Sequence, residues 1–407
     1  MNKPILTIFY QFNPWNSSIG GIQTIVRSFL KYAPSNFEIR MVGTGDNASQ
    51  VGKWQELNYA GRTVKFFPLI AVEDDNIRKI IPTTLKYTAA LLKQNFTSDF
   101  MHFHRIEPTI ASLNWQGDKT FFLHNDIEQQ MSSANAKNAM LWKYFPAGYF
   151  ALEKLLIRQF THIYSCNTKA TKFYQKKYPN LADRITYLKN AVDTKIFYPL
   201  ESEELTEKRQ ALAQKLNLST MTKFILFAGR LHPQKDPILL IHAFAALSEP
   251  DTHLLIAGDG ELAESIRSEI VACGLSERVT LMGALEQEQL VDLYRVANAF
   301  VLSSRYEGLP VAVLEALACG TPIVTTDCGE TPQLLTANSG VVAKQKTPEA
   351  LAAALNQVLQ NPKVYPAHAC VSVAEPYTAK AVIGDVYQQM LARWEEKNLT
   401  LPITKFA

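Results

Sequence analysis

The chain has 407 residues, of which 47% are hydrophobic and 19% charged, and its formal net charge at pH 7 is +3. This length predicts two or three domains, and the composition excludes disordered, collagen-like and low-complexity proteins. A charge so near balance argues against a dedicated nucleic-acid binder, so nucleic acid is not an expected partner. The five cysteines contain no Cys-x-x-Cys pair, which favours neither a disulfide framework nor a zinc site and is typical of a reducing compartment.

The first residues hold too short an apolar run for a signal peptide, and no apolar run approaches the roughly 20 residues that span a bilayer. We therefore expect a cytoplasmic protein. Residues 77–93 mix basic and apolar side chains, which leaves open a peripheral contact with the inner face of a membrane. Because Pro82 interrupts this segment, a core-packing helix with a solvated basic face is the favoured alternative.

The first half of the chain alternates strand-like runs with helical segments, which predicts a parallel sheet covered by helices. Helices are predicted from Gly20-Gly21 to about residue 33 and over residues 147–160. The predicted strands are residues 4–10, 37–42, 63–67, 100–103, 120–123, 162–165 and 184–188.

Between residues 194 and 216 the alternation lapses into a polar, acidic stretch, which predicts an interdomain connection. We place the boundary between residues 198 and 199. The second half then repeats the alternation, and residues 377–397 carry the apolar stripe of a helix that packs along a domain. The predicted strands of this half are residues 224–228, 254–257, 279–282, 300–302, 323–325 and 341–342. The fold class is therefore α/β, with two Rossmann-like, doubly wound parallel-sheet domains.

The most informative segment is residues 303–329, where a strand, a loop and a helix follow one another. Glu307 lies in the loop, Pro310 stands where the helix is predicted to begin, and Glu315 lies inside that helix. The backbone amides and the positive dipole end of the helix lie between the two carboxylates and form an anion site. This arrangement suits a diphosphate with a polyhydroxylated ring at each end, which describes a nucleotide sugar. The alternative is that Glu307 is a solvated loop residue and Glu315 a surface charge, but the apolar neighbours of Glu315 demand a polar partner.

A second cationic feature follows the strand of residues 224–228. Arg230 offers a bidentate fork and Lys235 a mobile point charge, and together they could neutralise a diphosphate. Ligands of open parallel sheets lie at the carboxyl ends of strands, where both residues fall. The alternative is an ordinary pair of surface cations.

Three features of the first half could face a ligand. Gly20-Gly21 precedes a helix and allows a ligand phosphate or sugar close to the backbone, although a plain turn has the same pattern. His124 ends a predicted strand, where it is either a ligand contact or a satisfied hydrogen-bonding group. His102 and His104 are expected on alternate faces of a strand, as structural or at most acceptor-side residues, because a metal site needs more ligands.

A competing signal is the loop Gly258-Asp259-Gly260, which follows a strand and matches the G-x-G-x-x-A dinucleotide fingerprint. That fingerprint also needs an acidic residue at the end of the next strand, and residues 279–282 end without one. A nicotinamide oxidoreductase therefore remains an alternative function, although the sequence lacks the acidic residue that the fingerprint also needs. A non-catalytic nucleotide-sugar-binding module is a further alternative.

The chain resembles the retaining glycosyltransferases of family four, which have the GT-B fold. Glu307 and Glu315 fit the Glu-x7-Glu motif of that family within EGLPVAVLEALACGTPIV, and Arg230 with Lys235 looks like its diphosphate clamp. The resemblance implies an N-terminal acceptor-side domain of residues 1–198 and a nucleotide-sugar-binding domain of residues 199–376 that face a cleft. It also implies that the last helix, within residues 377–407, packs back on the first domain.

The resemblance assigns roles to single residues. Glu315 would hold the ribose hydroxyls and Glu307 the hydroxyls of the transferred sugar, while His124 would touch that sugar. The catalytic set is then His124, Glu307, Arg230 and Lys235. The donor-binding set is Gly20, Gly21, Arg230, Lys235, Glu307, Gly308, Leu309, Val311, Ala312 and Glu315.

The resemblance further implies a UDP- or GDP-linked hexose donor and transfer with retention to a lipid-linked, polysaccharide or small-molecule acceptor. Two departures bear on this expectation. Pro310 removes one amide from the loop after Glu307, which leaves open the set of amides that meet the phosphate. No Asp-x-Asp motif of the metal-nucleotide type follows a strand, so we expect catalysis without a required metal or cofactor.

Overall fold

The computed structural model describes residues 3–16, 21–72, 82–124 and 146–399, and it divides the chain into two compact units. The N-terminal unit takes the described residues up to Lys189 together with the last helix, which begins at Ala379. The C-terminal unit is Asn190–Thr378. The chain passes between units earlier than the predicted boundary at 198/199, because Val192 and Phe197 are buried in the C-terminal core.

The N-terminal unit is built on an eight-stranded sheet with the strand order β3-β4-β2-β1-β5-β6-β7-β8. All its neighbouring strands are parallel except β3 and β4. The strands are β1 Ile5–Phe9, β2 Glu38–Gly45, β3 Gln55–Tyr59, β4 Arg62–Ala71, β5 Phe100–Phe103, β6 Asp118–Leu123, β7 His162–Ser165 and β8 Ile185–Tyr187. The described helices are α1 Gly21–Lys31, α2 Thr83–Leu91, α3 Pro146–Leu156, α4 Thr168–Lys177 and the last helix, Ala379–Leu399.

The C-terminal unit is built on a six-stranded parallel sheet with the order β11-β10-β9-β12-β13-β14. The strands are β9 Lys223–Ala228, β10 Thr252–Ala257, β11 Val279–Gly283, β12 Ala299–Leu302, β13 Ile323–Thr326 and β14 Gly340–Ala343. The helices are α5 Ser202–Lys215, α6 Pro237–Ala245, α7 Ala263–Ala272, α8 Gln287–Val296, α9 Val311–Ala318, α10 Thr331–Leu334, α11 Pro348–Gln360 and α12 Ala367–Ala374. The last helix of the chain is α13.

Both faces of the C-terminal sheet are covered, which explains why its strands are continuous apolar runs. Along β9, Phe224 and Leu226 pack into one hydrophobic cluster, while Ile225 and Phe227 pack into the cluster on the other face. This alternation with a period of two is what a strand between two layers of helices requires.

In the N-terminal unit, one core cluster joins β1, α1 and α13. Phe29 of α1 packs edge-to-face against Tyr387 of α13, and the Tyr387 hydroxyl donates to the Phe29 carbonyl at 2.8 Å. Arg393 of α13 also forms an ion pair with Asp118, the first residue of β6, at 2.8 Å. The last helix therefore belongs to the unit in which the chain begins.

Among the elements that the sequence did not predict, α5 and β3 have a clear physical reason. Helix α5 occupies the stretch that was predicted to be a connection. Glu203 and Glu204 in its first turn favour the start of a helix. The helix was not predicted because only Ala213 is fully buried, so the sequence shows a weak apolar pattern. Strand β3 was not predicted, because it is a half-exposed edge strand paired antiparallel with β4. Along the described residues, no helix combines the length and the apolarity that a bilayer crossing needs.

Candidate active site

The strand order of the C-terminal unit places two loops at a topological switch point. From β9 the chain moves to β10 on one side, and it later returns to β12 on the other side of β9. The loops that leave the carboxyl ends of β9 and β12 therefore diverge and leave a crevice, which is where open parallel sheets bind ligands. These loops are residues 229–236 and 303–310.

The two loops meet in an ion pair between Lys235 and Glu307. The Lys235 Nζ lies 2.6 Å from Glu307 Oε1, and the two side chains are 18% and 8% exposed. The Ser304 hydroxyl donates to the same carboxylate oxygen at 2.7 Å. The structure thus brings together a cation and an acid that the sequence assigned to different parts of one ligand, and it holds them largely out of water.

Hydrogen bonds to backbone carbonyls fix the positions of both loops. The Ser303 hydroxyl donates to the Lys235 carbonyl at 2.8 Å, and the Arg305 amide donates to the Gln234 carbonyl at 2.8 Å. Helix α6 begins directly after this contact. Because each loop is anchored to the other, the Lys235–Glu307 pair is preorganised rather than assembled on ligand binding.

Helix α9 begins next to this pair. Pro310 is the N-cap with an extended conformation, so it stands one position before the helical start that the sequence predicted for it. The Pro310 side chain makes no hydrogen bond that caps this helix start. Gly329, at φ +65°, allows the loop to approach, since a Cβ there would lie 2.4 Å from the Gly308 carbonyl oxygen. The result is a helix N-terminus close behind Glu307, as an anion site requires.

Glu315 lies within α9 and is 6% exposed. The hydroxyl of Tyr294, from α8, donates to Glu315 Oε2 at 3.0 Å and is the polar partner that the sequence demanded. Burial raises the pKa of Glu315 to about 7, although the Tyr294 hydrogen bond opposes this rise. Tyr294 is itself fully buried and packs against the rings of Phe197 and Phe300. The carboxylate is held in one orientation by a rigid neighbour.

The Gly258-Asp259-Gly260 loop packs backbone to backbone against the loop that carries Arg230. A Cβ on Gly258, at φ +143°, would lie 2.0 Å from the Gly229 carbonyl oxygen. The Leu231 amide donates to the Asp259 carbonyl at 3.0 Å. These glycines are therefore required by contact with the neighbouring loop, which accounts for the fingerprint without a dinucleotide.

The predicted residues of the N-terminal unit form a separate set. His124 is half-buried, and its Nε2 lies 2.8 Å from Nδ1 of buried His104. Burial lowers the pKa of His124 to about 4, so the ring is neutral at pH 7. His102 and His104 both contact the Phe122 ring and hence share one face of the strand, which corrects the expectation of alternate faces.

Gly21 is the first residue of α1, and among the described residues nothing lies within 4 Å of where its Cβ would be. Gly20 lies outside the described residues. Arg230 is exposed beside Gly229 at the carboxyl end of β9. The structure thus collects eight of the predicted residues on two loops and α9 of the C-terminal unit: Arg230, Lys235, Glu307, Gly308, Leu309, Val311, Ala312 and Glu315.

Sequence reasoning missed the residues that orient this set. Tyr294 and Ser304 hold the two carboxylates, and Asn190 donates from its side chain to the Leu309 carbonyl at 2.5 Å. The sequence indicated that Glu315 needs a polar partner, because its neighbours are apolar. It could not show that Tyr294 is this partner, because that contact depends on how α8 packs against α9.

Comparison with solved structures shows the fold. The protein has the two-unit GT-B fold: sucrose-phosphate synthase from Thermosynechococcus elongatus superposes with a TM-score of 0.77 at 18% identity, over 96% of this chain and 100% of that one. Anabaena HepE in complex with UDP-glucose superposes with a TM-score of 0.70 at 15% identity, over 97% of this chain and 100% of that one. Residues 208–370 match the family described as glycosyl transferases group 1.

A curated relative is the GDP-mannose-dependent monoacylated alpha-(1-6)-phosphatidylinositol monomannoside mannosyltransferase of Corynebacterium glutamicum. It is 30% identical over 185 residues, which are 43% of this chain and 47% of that protein. The mannosylfructose-phosphate synthase of Agrobacterium fabrum is 34% identical over 144 residues, or 33% of this chain and 30% of that protein. The chain thus spans less than half the length of these curated relatives.

Proposed function

We propose that the protein is a retaining glycosyltransferase that moves a hexose-type sugar from a nucleotide-sugar donor to an acceptor. One observation carries this proposal. Two carboxylates, Glu307 and Glu315, lie before and within a helix whose N-cap, Pro310, has no capping side chain, and Lys235 is paired with the first of them. In a nucleotide sugar a diphosphate lies between two hydroxylated rings. The cation and the helix amides suit the diphosphate, and the two acids suit the hydroxyls of the rings.

The proposed chemistry is electrostatic. Breaking the anomeric bond leaves negative charge on the departing diphosphate. Lys235, Arg230 and the amide end of α9 stabilise that charge in the transition state. Because Lys235 is only 18% exposed, its charge acts in a medium less polar than water. The attraction between this charge and the departing diphosphate is therefore stronger than it would be in water. In the free protein Glu307 balances this charge. When the donor binds, Lys235 would therefore contact both the Glu307 carboxylate and a phosphate oxygen.

The two acids receive different parts of the donor. Glu307 accepts hydrogen bonds from hydroxyls of the transferred sugar, and Glu315 accepts them from the ribose. Tyr294 occupies one oxygen of Glu315 and orients the carboxylate for the ribose. Retention follows if the acceptor attacks the face that the diphosphate leaves, with a phosphate oxygen taking the acceptor proton. The assignment of His124, Gly20 and Gly21 to the donor stays a prediction from the resemblance.

The names of similar proteins support a UDP- or GDP-linked donor, since one relative is named for GDP-mannose and HepE is described with UDP-glucose. The acceptor is proposed to be lipid-linked, a polysaccharide or a small molecule. We propose that transfer needs no metal, which a reaction in excess chelator tests directly. A rate that falls at least tenfold with chelator and returns with Mg²⁺ or Mn²⁺ would refute that part.

A cytoplasmic location and a peripheral membrane contact also stay proposals. The described part of the basic segment is α2, in which Tyr87 and Leu91 are buried while Leu85 and Lys86 are exposed. Sedimentation with vesicles that contain anionic lipid tests the contact. Reduced binding of a Leu85→Ser variant would support it, whereas equal recovery of protein in the supernatant with and without vesicles would exclude it.

The test of the proposed function is a panel of nucleotide sugars that differ in base and sugar, screened by thermal shift and then for release of nucleoside diphosphate. We expect one donor to stabilise the protein and to release its nucleotide faster when an acceptor is present. Stabilisation by NADH and by no nucleoside diphosphate would favour the oxidoreductase. Binding without release under any acceptor would favour a non-catalytic module.

A further inference from the structure

Two helices of the C-terminal unit bring a histidine, a glutamate and a cysteine together outside the proposed donor site. His242 lies in the last turn of α6, Glu269 in the last turn of α7, and Cys273 is the C-cap of α7. Within the part of the chain that the structure describes, these three form the one group of at least three such residues whose ligand atoms all lie within 4.8 Å of one another. None of them contributes to the contacts of Lys235, Glu307 or Glu315 described above.

We propose that His242, Glu269 and Cys273 form a binding site for a divalent transition-metal cation, with Zn²⁺ as the best match. A nitrogen, an oxygen and a sulfur ligand are the donor set that zinc takes in proteins. The site clamps α6 to α7 on the surface of the unit, and water completes the coordination.

The distances fit this cation. Zinc bonds of about 2.0 to 2.3 Å in tetrahedral geometry hold ligand atoms roughly 3.3 to 3.8 Å apart. His242 Nε2 lies 2.9 Å from Glu269 Oε1, and Cys273 Sγ lies 3.7 Å from the same oxygen. The three ligand atoms all lie within 4.8 Å of one another, so side-chain adjustments, above all at the closer His–Glu pair, would bring them to the spacing that zinc requires.

The local electrostatics also favour a cation. The negative dipole ends of α6 and α7 both point toward the group, because all three residues lie in the last turn or at the cap of their helices. The His242 and Glu269 side chains are 45% and 31% exposed, so a hydrated ion can enter from solvent. On binding, the Cys273 thiol releases its proton to solvent, and the thiolate and the Glu269 carboxylate together balance the two charges of the ion.

An ordinary surface ion pair between His242 and Glu269 would show the same 2.9 Å contact. The metal site differs from it by depending on the sulfur of Cys273. Calorimetric titration of the chelator-treated full-length protein with Zn²⁺, in a reductant that does not bind metal, is therefore combined with variants. We expect one ion per chain, and an affinity at least about tenfold weaker in both Cys273→Ser and His242→Asn.

The matched control is His368→Asn, since His368 is an exposed histidine on α12 outside this group. The Zn²⁺ affinity of this variant should equal that of the unchanged protein. Far-ultraviolet circular dichroism checks that each variant is folded. Co²⁺ gives a second readout, because a thiolate ligand produces a charge-transfer absorption that Cys273→Ser should remove. Absence of saturable Zn²⁺ binding, or equal affinity in Cys273→Ser, or a Co²⁺ complex without that absorption would overturn the site. None of these readouts depends on glycosyl transfer.

Discussion

Among single residues, the proposed catalysis depends most on Lys235, the half-buried cation that pairs with Glu307. Replacing it by alanine removes a preorganised positive charge next to the departing diphosphate. We expect Lys235→Ala to lower turnover about 10²-fold, the scale for loss of one such donor. The control is Lys363→Ala, because Lys363 is exposed in the turn between α11 and α12, outside the two loops and α9, and should leave turnover unchanged. Steady-state rates at saturating donor measure both, and equal rates for Lys235→Ala and the control would contradict the role of Lys235.

Glu315 links the proposed ribose contact to stability. The pKa of this buried carboxyl is raised to about 7 from an ordinary value of 4.5. Between these two pH values the folded protein keeps a proton that the unfolded chain releases, so the free energy of unfolding falls as the pH rises through this window. Glu315→Gln cannot ionise and does not show this loss.

We compare the free energy of unfolding of Glu315→Gln with that of the unchanged protein. As the pH rises from 5 to 8, we expect this difference to shift in favour of the variant by on the order of 1 to 3 kcal/mol. Urea unfolding without ligand at both pH values measures the difference. The same variant should bind nucleoside diphosphate more weakly at pH 8, because an amide group replaces one acceptor oxygen. A stability difference that does not change with pH would mean that Glu315 is not protonated when buried.

Much of this residue set could be predicted from the sequence, because Glu307, Glu315, Arg230 and Lys235 follow strands or begin a helix and their chemistry is readable from local order. Their partners could not be predicted. Tyr294 reaches Glu315 only through the packing of two helices, and the Lys235–Glu307 contact depends on the two loops meeting across the sheet.

At the scale of elements, the strands were predictable because strands buried on both faces are short apolar runs. Helix α5 and strand β3 were not, since each is mostly exposed and its sequence lacks a strong apolar period. The Gly258-Asp259-Gly260 loop shows a different limit. Its pattern is that of a dinucleotide loop, but the glycines serve the contact with residues 229–231, which only the strand order reveals.

Gly258→Ala tests this interpretation of the loop. The added Cβ would lie 2.0 Å from the Gly229 carbonyl oxygen, so the loop that carries Arg230 must move. We expect a loss of at least about 3 kcal/mol in the free energy of unfolding, since both steric overlap and backbone strain oppose the change. Gly274→Ala is the control, because its φ of +66° costs about 1 to 2 kcal/mol of strain but its Cβ meets nothing within 4 Å. Equal losses in the two variants would contradict a role for close packing.

At the scale of the whole molecule, the chain builds two units and then returns to the first. Tyr387 of α13 is buried in the N-terminal core, where its hydroxyl bonds to Phe29. The alternation of strands and helices predicted two such units, but it placed the boundary too late, because residues 190–198 carry no regular period although Val192 and Phe197 pack in the second core.

Truncation of Tyr387 should therefore destabilise the N-terminal unit. We expect Tyr387→Ala to lose about 3 to 5 kcal/mol and Tyr387→Phe, which keeps the ring, about 1 kcal/mol. Hydrogen exchange followed by mass spectrometry resolves the location: peptides from β1 and β2 should lose protection in Tyr387→Ala, while those from β9 and β10 should not. Loss of protection confined to α13 itself would show that this helix does not support the first core.

The central claim is that a diphosphate lies at the start of α9 between two acids that hold its sugars. The most direct measurement is a crystal structure of the protein soaked with a UDP- or GDP-sugar. We expect phosphate oxygens at the amides that follow Pro310 and at Lys235, with ribose hydroxyls on Glu315 and sugar hydroxyls on Glu307. A nucleotide bound instead along the Gly258-Asp259-Gly260 loop, with the start of α9 unoccupied, would contradict it.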